Sequence, residues 1–270
     1  MTELRLAHCP GAQGDNILMG NKGVTQLVNE SAPALLVSYV YLKPFLANKH
    51  KYVFRDWVMD SGGFSAWKSG TEINLQEYID TCLRLLETDD KLTEVFALDV
   101  IGDWEASARN TEEMWRQGVP AIPAYHPGEP ETALLEMAKT YPKIALGGTV
   151  GTHAKEKDRW IGQCFARVWP KKIHGFGVTG EPLLMKYPFH SVDATNWEMM
   201  PCAFGNWKSF GKMSIRGSKQ DLRAEVEWYL ALERRVRARW VKEMKVLEEG
   251  LTVRFADEAQ EMRRRPWVKE

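Results

Sequence analysis

Eight short apolar, β-rich runs alternate along the chain with longer amphipathic stretches, and this alternation restricts the fold more than any other feature. The runs lie at 4–8 (LRLAH), 34–40 (ALLVSYV), 56–60 (DWVMD), 95–99 (VFALD), 119–124 (VPAIPA), 143–147 (KIALG), 173–178 (IHGFGV) and 190–193 (HSVD). Helical patterns occupy 74–87, 105–117, 130–140 and 154–168. A helix between two strands returns the chain to the same end of the sheet, so the strands pair in parallel. Eight such units predict an α/β chain closed into a (β/α)8 TIM barrel. The helices that should follow the first three strands are poorly marked. The alternative is an open, doubly wound sheet, but the segment GAQGDN after His8-Cys9-Pro10 does not fit a GxGxxG turn feeding a helix.

The length of 270 residues suits one such barrel, and a hydrophobic fraction of 44% supplies a large core. After about residue 218 the pattern changes. The barrel is therefore assigned to 1–218, and a charged helical extension with a basic tail, packed on the barrel, to 219–270. Within 219–249, Leu222, Val226, Tyr229, Leu230 and Leu232 recur at near-helical spacing, and Arg263, Arg264, Arg265, Pro266 and Trp267 form the tail. Lys+Arg and Asp+Glu both total 36, so net charge says nothing of an acidic partner. The cysteines at 9, 82, 164 and 202 have neither metal-knuckle nor disulfide-framework spacing and read as free buried thiols in a reducing compartment. Without a signal peptide or a bilayer-length apolar stretch, the expected location is the cytoplasm, with no membrane partner.

In a barrel of this kind the working residues stand at the C-terminal ends of the strands. Strand three ends in Asp60-Ser61-Gly62-Gly63-Phe64, strand four in Asp99, and strand five runs into Tyr125-His126-Pro127-Gly128. Strand six ends in Gly147-Gly148-Thr149, strand seven carries Phe176-Gly177-Val178, and strand eight ends in Asp193. A single Asp at a strand end is commonly a helix cap, and Gly-Gly is commonly a tight turn. Three aspartates on one predicted rim are different, because carboxylates gathered together repel one another at a cost in stability.

The ordered set Asp60-Ser61-Gly62-Gly63-Phe64, Asp99, Leu146-Gly147-Gly148-Thr149-Val150-Gly151, Phe176-Gly177-Val178 and Asp193 resembles the motif series of the tRNA-guanine transglycosylase superfamily, over about residues 30–200. The resemblance implies that Asp193 attacks the sugar C1′ and expels guanine, and that Asp60 serves as general acid and base. It implies that Asp99 accepts hydrogen bonds from the N1 and N2 side of the base. Phe64 and Phe176 would sandwich the base, and the backbone of Gly147, Gly148 and Thr149 would hold its polar edges. The chemistry is that of glycosidic bond cleavage through an oxocarbenium-like state, with retention after two displacements.

The departures from that family bear on the substrate. Its tRNA enzymes carry a zinc subdomain after the nucleophile, with three closely spaced cysteines and a later histidine. Here Cys202 stands alone and no histidine follows His190, so no zinc or other cofactor is expected. The family's base-reading Gln on strand five is replaced near Tyr125-His126, where His126 would donate a hydrogen bond or simply occupy a turn. In the place of the zinc module stands an aromatic, basic loop at 204–217, whose Lys208, Lys212 and Arg216 would meet phosphates. The compact, zinc-free branch of the superfamily implies a DNA substrate, guanine being exchanged for a 7-deazaguanine such as preQ0, in phage genomes (hence the host cytoplasm) or modification systems. The partners expected are DNA, the free 7-deazaguanine base and, in a homodimer, a second copy of the chain. The alternatives are a tRNA enzyme without its zinc module and a non-catalytic accessory barrel.

Overall fold

A computed structural model describes residues 2–12, 14–20, 32–209 and 222–249, with side chains of the last segment described as far as Val241. It contains eight strands: β1 Glu3–Ala7, β2 Ala34–Ser38, β3 Trp57–Asp60, β4 Leu92–Val95, β5 Ala124–Tyr125, β6 Lys143–Leu146, β7 Lys172–Gly175 and β8 Ser191–Ala194. They belong to one sheet in the order β4-β3-β2-β1-β8-β7-β6-β5. Their registered pairings are parallel. Helices stand between successive strands: α1 Asp15–Leu18, α2 Leu42–Asn48, α3 Gly63–Ser69, α4 Leu75–Thr88, α5 Trp104–Arg116, α6 Glu131–Thr140, α7 Ala154–Val168 and α8 Glu181–Lys186. After β8 come α9 Asn196–Phe204 and α10 Arg223–Glu249. The fold is α/β, of the (β/α)8 class. Among the described residues no helix is long and apolar enough to cross a membrane.

The helices α4, α5 and α7 begin where the sequence supplies a side-chain cap. Asn74 accepts the Glu77 N–H to open α4, whose Tyr78, Ile79, Cys82 and Leu85 form the buried stripe. Asp103 accepts the Ala106 N–H to open α5. His153 accepts the Lys155 N–H to open α7. These helices match their expected spans to within a residue or two at each end.

Two strands depart from expectation. The run at 95–99 reads as a strand because Val95, Phe96, Ala97 and Leu98 are all buried, yet the ladder covers only Leu92–Val95. Expected strand five at 119–124 reduces to Ala124–Tyr125, because prolines at 120 and 123 have no N–H to donate to a ladder. The cysteines also depart in part: Cys82 and Cys164 are buried, but Cys9 is half-buried and Cys202 exposed.

The chain divides into two compact units, one of residues 1–3, 122–192 and 234–270, the other of residues 4–121 and 193–233. In the first, Phe165 stacks on Tyr187 at 5.5 Å and meets Phe189 edge-on at 4.9 Å. In the same unit the buried Trp240 of α10 donates its indole N–H to the Leu184 carbonyl at 2.6 Å. In the second, Phe45 packs on Trp57 at 4.9 Å and Tyr52 at 5.8 Å. There the buried Glu233 takes both Arg55 guanidinium nitrogens, at 2.9 and 3.1 Å. The apolar residues 222, 226, 229, 230 and 232 are buried as their spacing predicts. The basic tail at 263–267 lies outside the described residues.

Candidate active site

The carboxylates fall in the second unit. Asp60 ends β3 and is well enclosed, with part of its surface still open to solvent. Burial pushes its carboxyl up to about 6, and the negative charge of Asp193 pushes in the same direction. The Gly62 N–H, 3.1 Å from Oδ2, opposes the shift by favouring the ionised form. Asp193, on β8, is 4% exposed.

The sequence Gly62-Gly63 has a separate reason at each position. Gly62 adopts φ +78°, the left-handed region that glycine favours, and a Cβ there would meet the Ser38 hydroxyl at 2.8 Å and Val40 at 3.1 Å. A Cβ on Gly63 would lie 2.7 Å from the backbone oxygen of Asp99. The turn after β3 is therefore pressed against the backbone of Asp99 beyond β4. Ser61 is buried, its hydroxyl 3.4 Å from the Gly63 N–H.

Tyr78 reads from the sequence as an apolar position of α4. In the structure it is wholly buried, donates its hydroxyl to the Phe96 carbonyl at 2.8 Å, and packs edge-on against Tyr39 at 5.0 Å. Its hydroxyl is raised well above its ordinary value, first by burial, then by Cys82, and by the charges of Asp60 and Asp99. Nothing in its spacing distinguishes it from a core residue.

Phe64 is on the outer face of α3, 55% exposed, beside Trp67, which is 59% exposed, with ring centroids 6.0 Å apart. Both rings are thus presented to solvent. Lys208 also differs from a solvated cation: its ammonium lies 4.9 Å over the Trp228 ring and 5.3 Å from the Tyr229 ring. Beside it Ser209 gives its N–H and hydroxyl to the buried Glu225 carboxylate. Lys208 and Ser209 are thereby tied to α10. Lys212 and Arg216 lie outside the described residues.

The remaining residues of the series gather in the first unit, at the ends of β5, β6 and β7. A Cβ on Gly147 would meet His126 Nε2 at 2.7 Å and the Phe176 ring at 3.6 Å, so the absent side chain makes room for two rings. Gly148 takes φ +70° with Pro127 and His126 against it. The Gly147 N–H is donated to the Tyr125 carbonyl at 2.9 Å. This amide belongs to the sheet and is not left for a ligand. Thr149 is 3% exposed and its buried hydroxyl has no hydrogen-bond partner among the described residues. Phe176 meets His174 edge-on at 4.7 Å. Gly177 takes φ +62° and its carbonyl accepts from Lys157 at 3.3 Å. Among the described residues no three His, Cys, Asp or Glu side chains form a set able to hold a metal ion.

No family model and no curated protein matches the chain. Among solved structures, the tryptophan synthase A-subunit from the hyperthermophile Pyrococcus furiosus is similar, with 12% identity and a TM-score of 0.46 over 87% of this chain and 96% of that one.

Proposed function

We propose that the chain is a base-exchanging glycosyltransferase of the tRNA-guanine transglycosylase type, replacing guanine in DNA by a 7-deazaguanine. The observation that carries the reading is the Asp60–Asp193 pair, two electrostatically coupled carboxyls of which one is pushed up to about 6. A double displacement at a sugar carbon needs one carboxylate to attack and a second group able to carry a proton near neutral pH. Asp193 attacks C1′ as the bond to guanine N9 breaks, and protonated Asp60 gives its proton to the departing purine. The entering base then loses a proton to the Asp60 carboxylate, forms its bond to C1′, and releases Asp193. The proton gained in the second half is the one given up in the first, so the cycle closes.

Asp99 belongs to this reading as the acceptor for the N1 and N2 donors of the base, supported by its backbone packing on Gly63. The preference for DNA over tRNA rests on the sequence at 204–217, not on any geometry.

The test is incorporation of labelled guanine and labelled 7-cyano-7-deazaguanine into duplex DNA, single-stranded DNA and tRNA. Label entering DNA with wild type but not with Asp193→Asn is expected. Label entering tRNA alone would overturn the choice of DNA. No exchange into any polynucleotide would overturn the activity.

A further inference from the structure

β2 is apolar until its last residue. Ala34, Leu35, Leu36 and Val37 are buried, and Ser38 ends the strand with a hydroxyl. Ser38 pairs in register with Asp60, as Leu36 pairs with Val58. Residues paired across parallel strands turn their side chains to the same face. The Ser38 hydroxyl and the Asp60 carboxyl therefore share a face at adjacent strand ends, within one compact unit.

The turn after β3 brings the two groups to one glycine. A Cβ on Gly62 would stand 2.8 Å from Ser38 Oγ, and the Gly62 N–H is donated to Asp60 Oδ2 at 3.1 Å. Gly62 thus meets both, its N–H on the carboxylate and its bare Cα toward the hydroxyl. Ser38 as a whole is half-buried, but its Oγ is shut off from solvent and has no aligned hydrogen-bond partner among the described residues. A hydroxyl kept from water costs stability unless it finds an acceptor, and its proton rotates to suit one. The strong acceptor within reach is the Asp60 carboxylate. Burial pushes that carboxyl up, and the Ser38 hydroxyl opposes the push by favouring the ionised form.

We propose that Ser38 is a positioning residue whose hydroxyl donates a hydrogen bond to the Asp60 carboxylate whenever Asp60 has given up its proton, holding it beside the Gly62 N–H until the proton returns. Ser38 keeps its own proton throughout. The proposal rests on the reading of Asp60 as the acid and base of the exchange, and adds the group that steadies it between the two half-reactions. Among the described residues, the other titratable groups acting on Asp60 are Asp193 of β8 and Tyr78 of α4, and a change at Ser38 alters neither.

The experiment is carbon-13 NMR of the Asp60 carboxyl across pH in the full-length protein, in wild type, Ser38→Ala, Ser38→Cys and Ser38→Thr, with Asp60→Asn serving to assign the signal. Loss of a hydrogen bond to a charged group should raise the Asp60 midpoint by about one pH unit in Ser38→Ala. Ser38→Cys, which keeps the shape and only a weak donor, should move it the same way, and Ser38→Thr, which keeps the hydroxyl, should leave it near wild type. The pH profile of base exchange into DNA should move upward with the midpoint in Ser38→Ala. A midpoint unmoved in both Ser38→Ala and Ser38→Cys, or raised as far in Ser38→Thr as in Ser38→Ala, would overturn the proposal and leave base exchange standing. A midpoint that moves as expected in a protein whose wild type exchanges no base would overturn base exchange and uphold the contact between hydroxyl and carboxylate.

Discussion

The charge of Asp193 helps burial hold the Asp60 carboxyl near 6, two strand ends of one compact unit acting on a single proton. The relative weight of the two causes is testable. Carbon-13 NMR of the carboxyls should find Asp60 titrating near 6, and Asp193→Asn should lower that value. Because burial is the larger cause, the midpoint should stay above the ordinary 3.8. A midpoint unmoved by Asp193→Asn would uncouple the pair.

The same shift has a consequence for stability. A carboxyl whose folded pKa is raised binds its proton more tightly folded than unfolded, so stability falls as pH climbs from 3.8 towards 6 and stays low above. Two units correspond to about 3 kcal/mol, an upper figure for a group still reached by solvent. Asp60→Asn keeps an acceptor for the Gly62 N–H and removes the charge. It should stabilise the fold by roughly 1–3 kcal/mol at pH 7 and by little at pH 4, while abolishing proton transfer. Urea denaturation at the two pH values measures the difference. Equal effects at both would mean the charge is not the cause.

The two glycines after β3 should fail differently. Gly62→Ala forces a left-handed residue to carry a Cβ, at about 1–2 kcal/mol, in addition to the crowding at Ser38. Gly63→Ala meets the Asp99 backbone, which cannot rotate away as a side chain can. It should displace Asp99 from Asp60 and weaken guanine binding by roughly tenfold or more. Calorimetric titration with guanine and a denaturation midpoint separate the two outcomes. A Gly63→Ala protein that binds normally would detach Asp99 from base selection.

How much of this was legible in the sequence differs from element to element. α4, α5, α6 and α7 carry long periodic stripes, and α4, α5 and α7 also carry side-chain caps, so their ends show. α2 and α3 are seven residues each, too short for a stripe, and α3 starts from a left-handed Gly62 with no side-chain cap. Asp60 and Asp193 could be placed because strand ends on one rim of a parallel barrel converge. Their coupling could not, since it depends on burial that no spacing encodes. Lys208 reads from the sequence as a phosphate contact, and nothing in its spacing announces the Trp228 and Tyr229 rings of α10 beside its ammonium.

That last distinction separates two kinds of cation in the 204–217 loop. Lys208 already lies over Trp228 and beside Tyr229, so Lys208→Ala removes an internal contact worth about 0.5–1 kcal/mol. It should lower the denaturation midpoint and leave the salt dependence of DNA binding where it was. Lys212 and Arg216 are assigned to phosphates on their sequence context alone. Each phosphate contact releases about one counterion, so Lys212→Ala with Arg216→Ala should flatten the slope of log affinity against log salt by about two. Binding to a fluorescent duplex at several salt concentrations measures both variants on one scale. A flattened slope in Lys208→Ala would return that residue to the DNA surface. An unchanged slope in the double variant would remove the loop from it, since no other charge was altered.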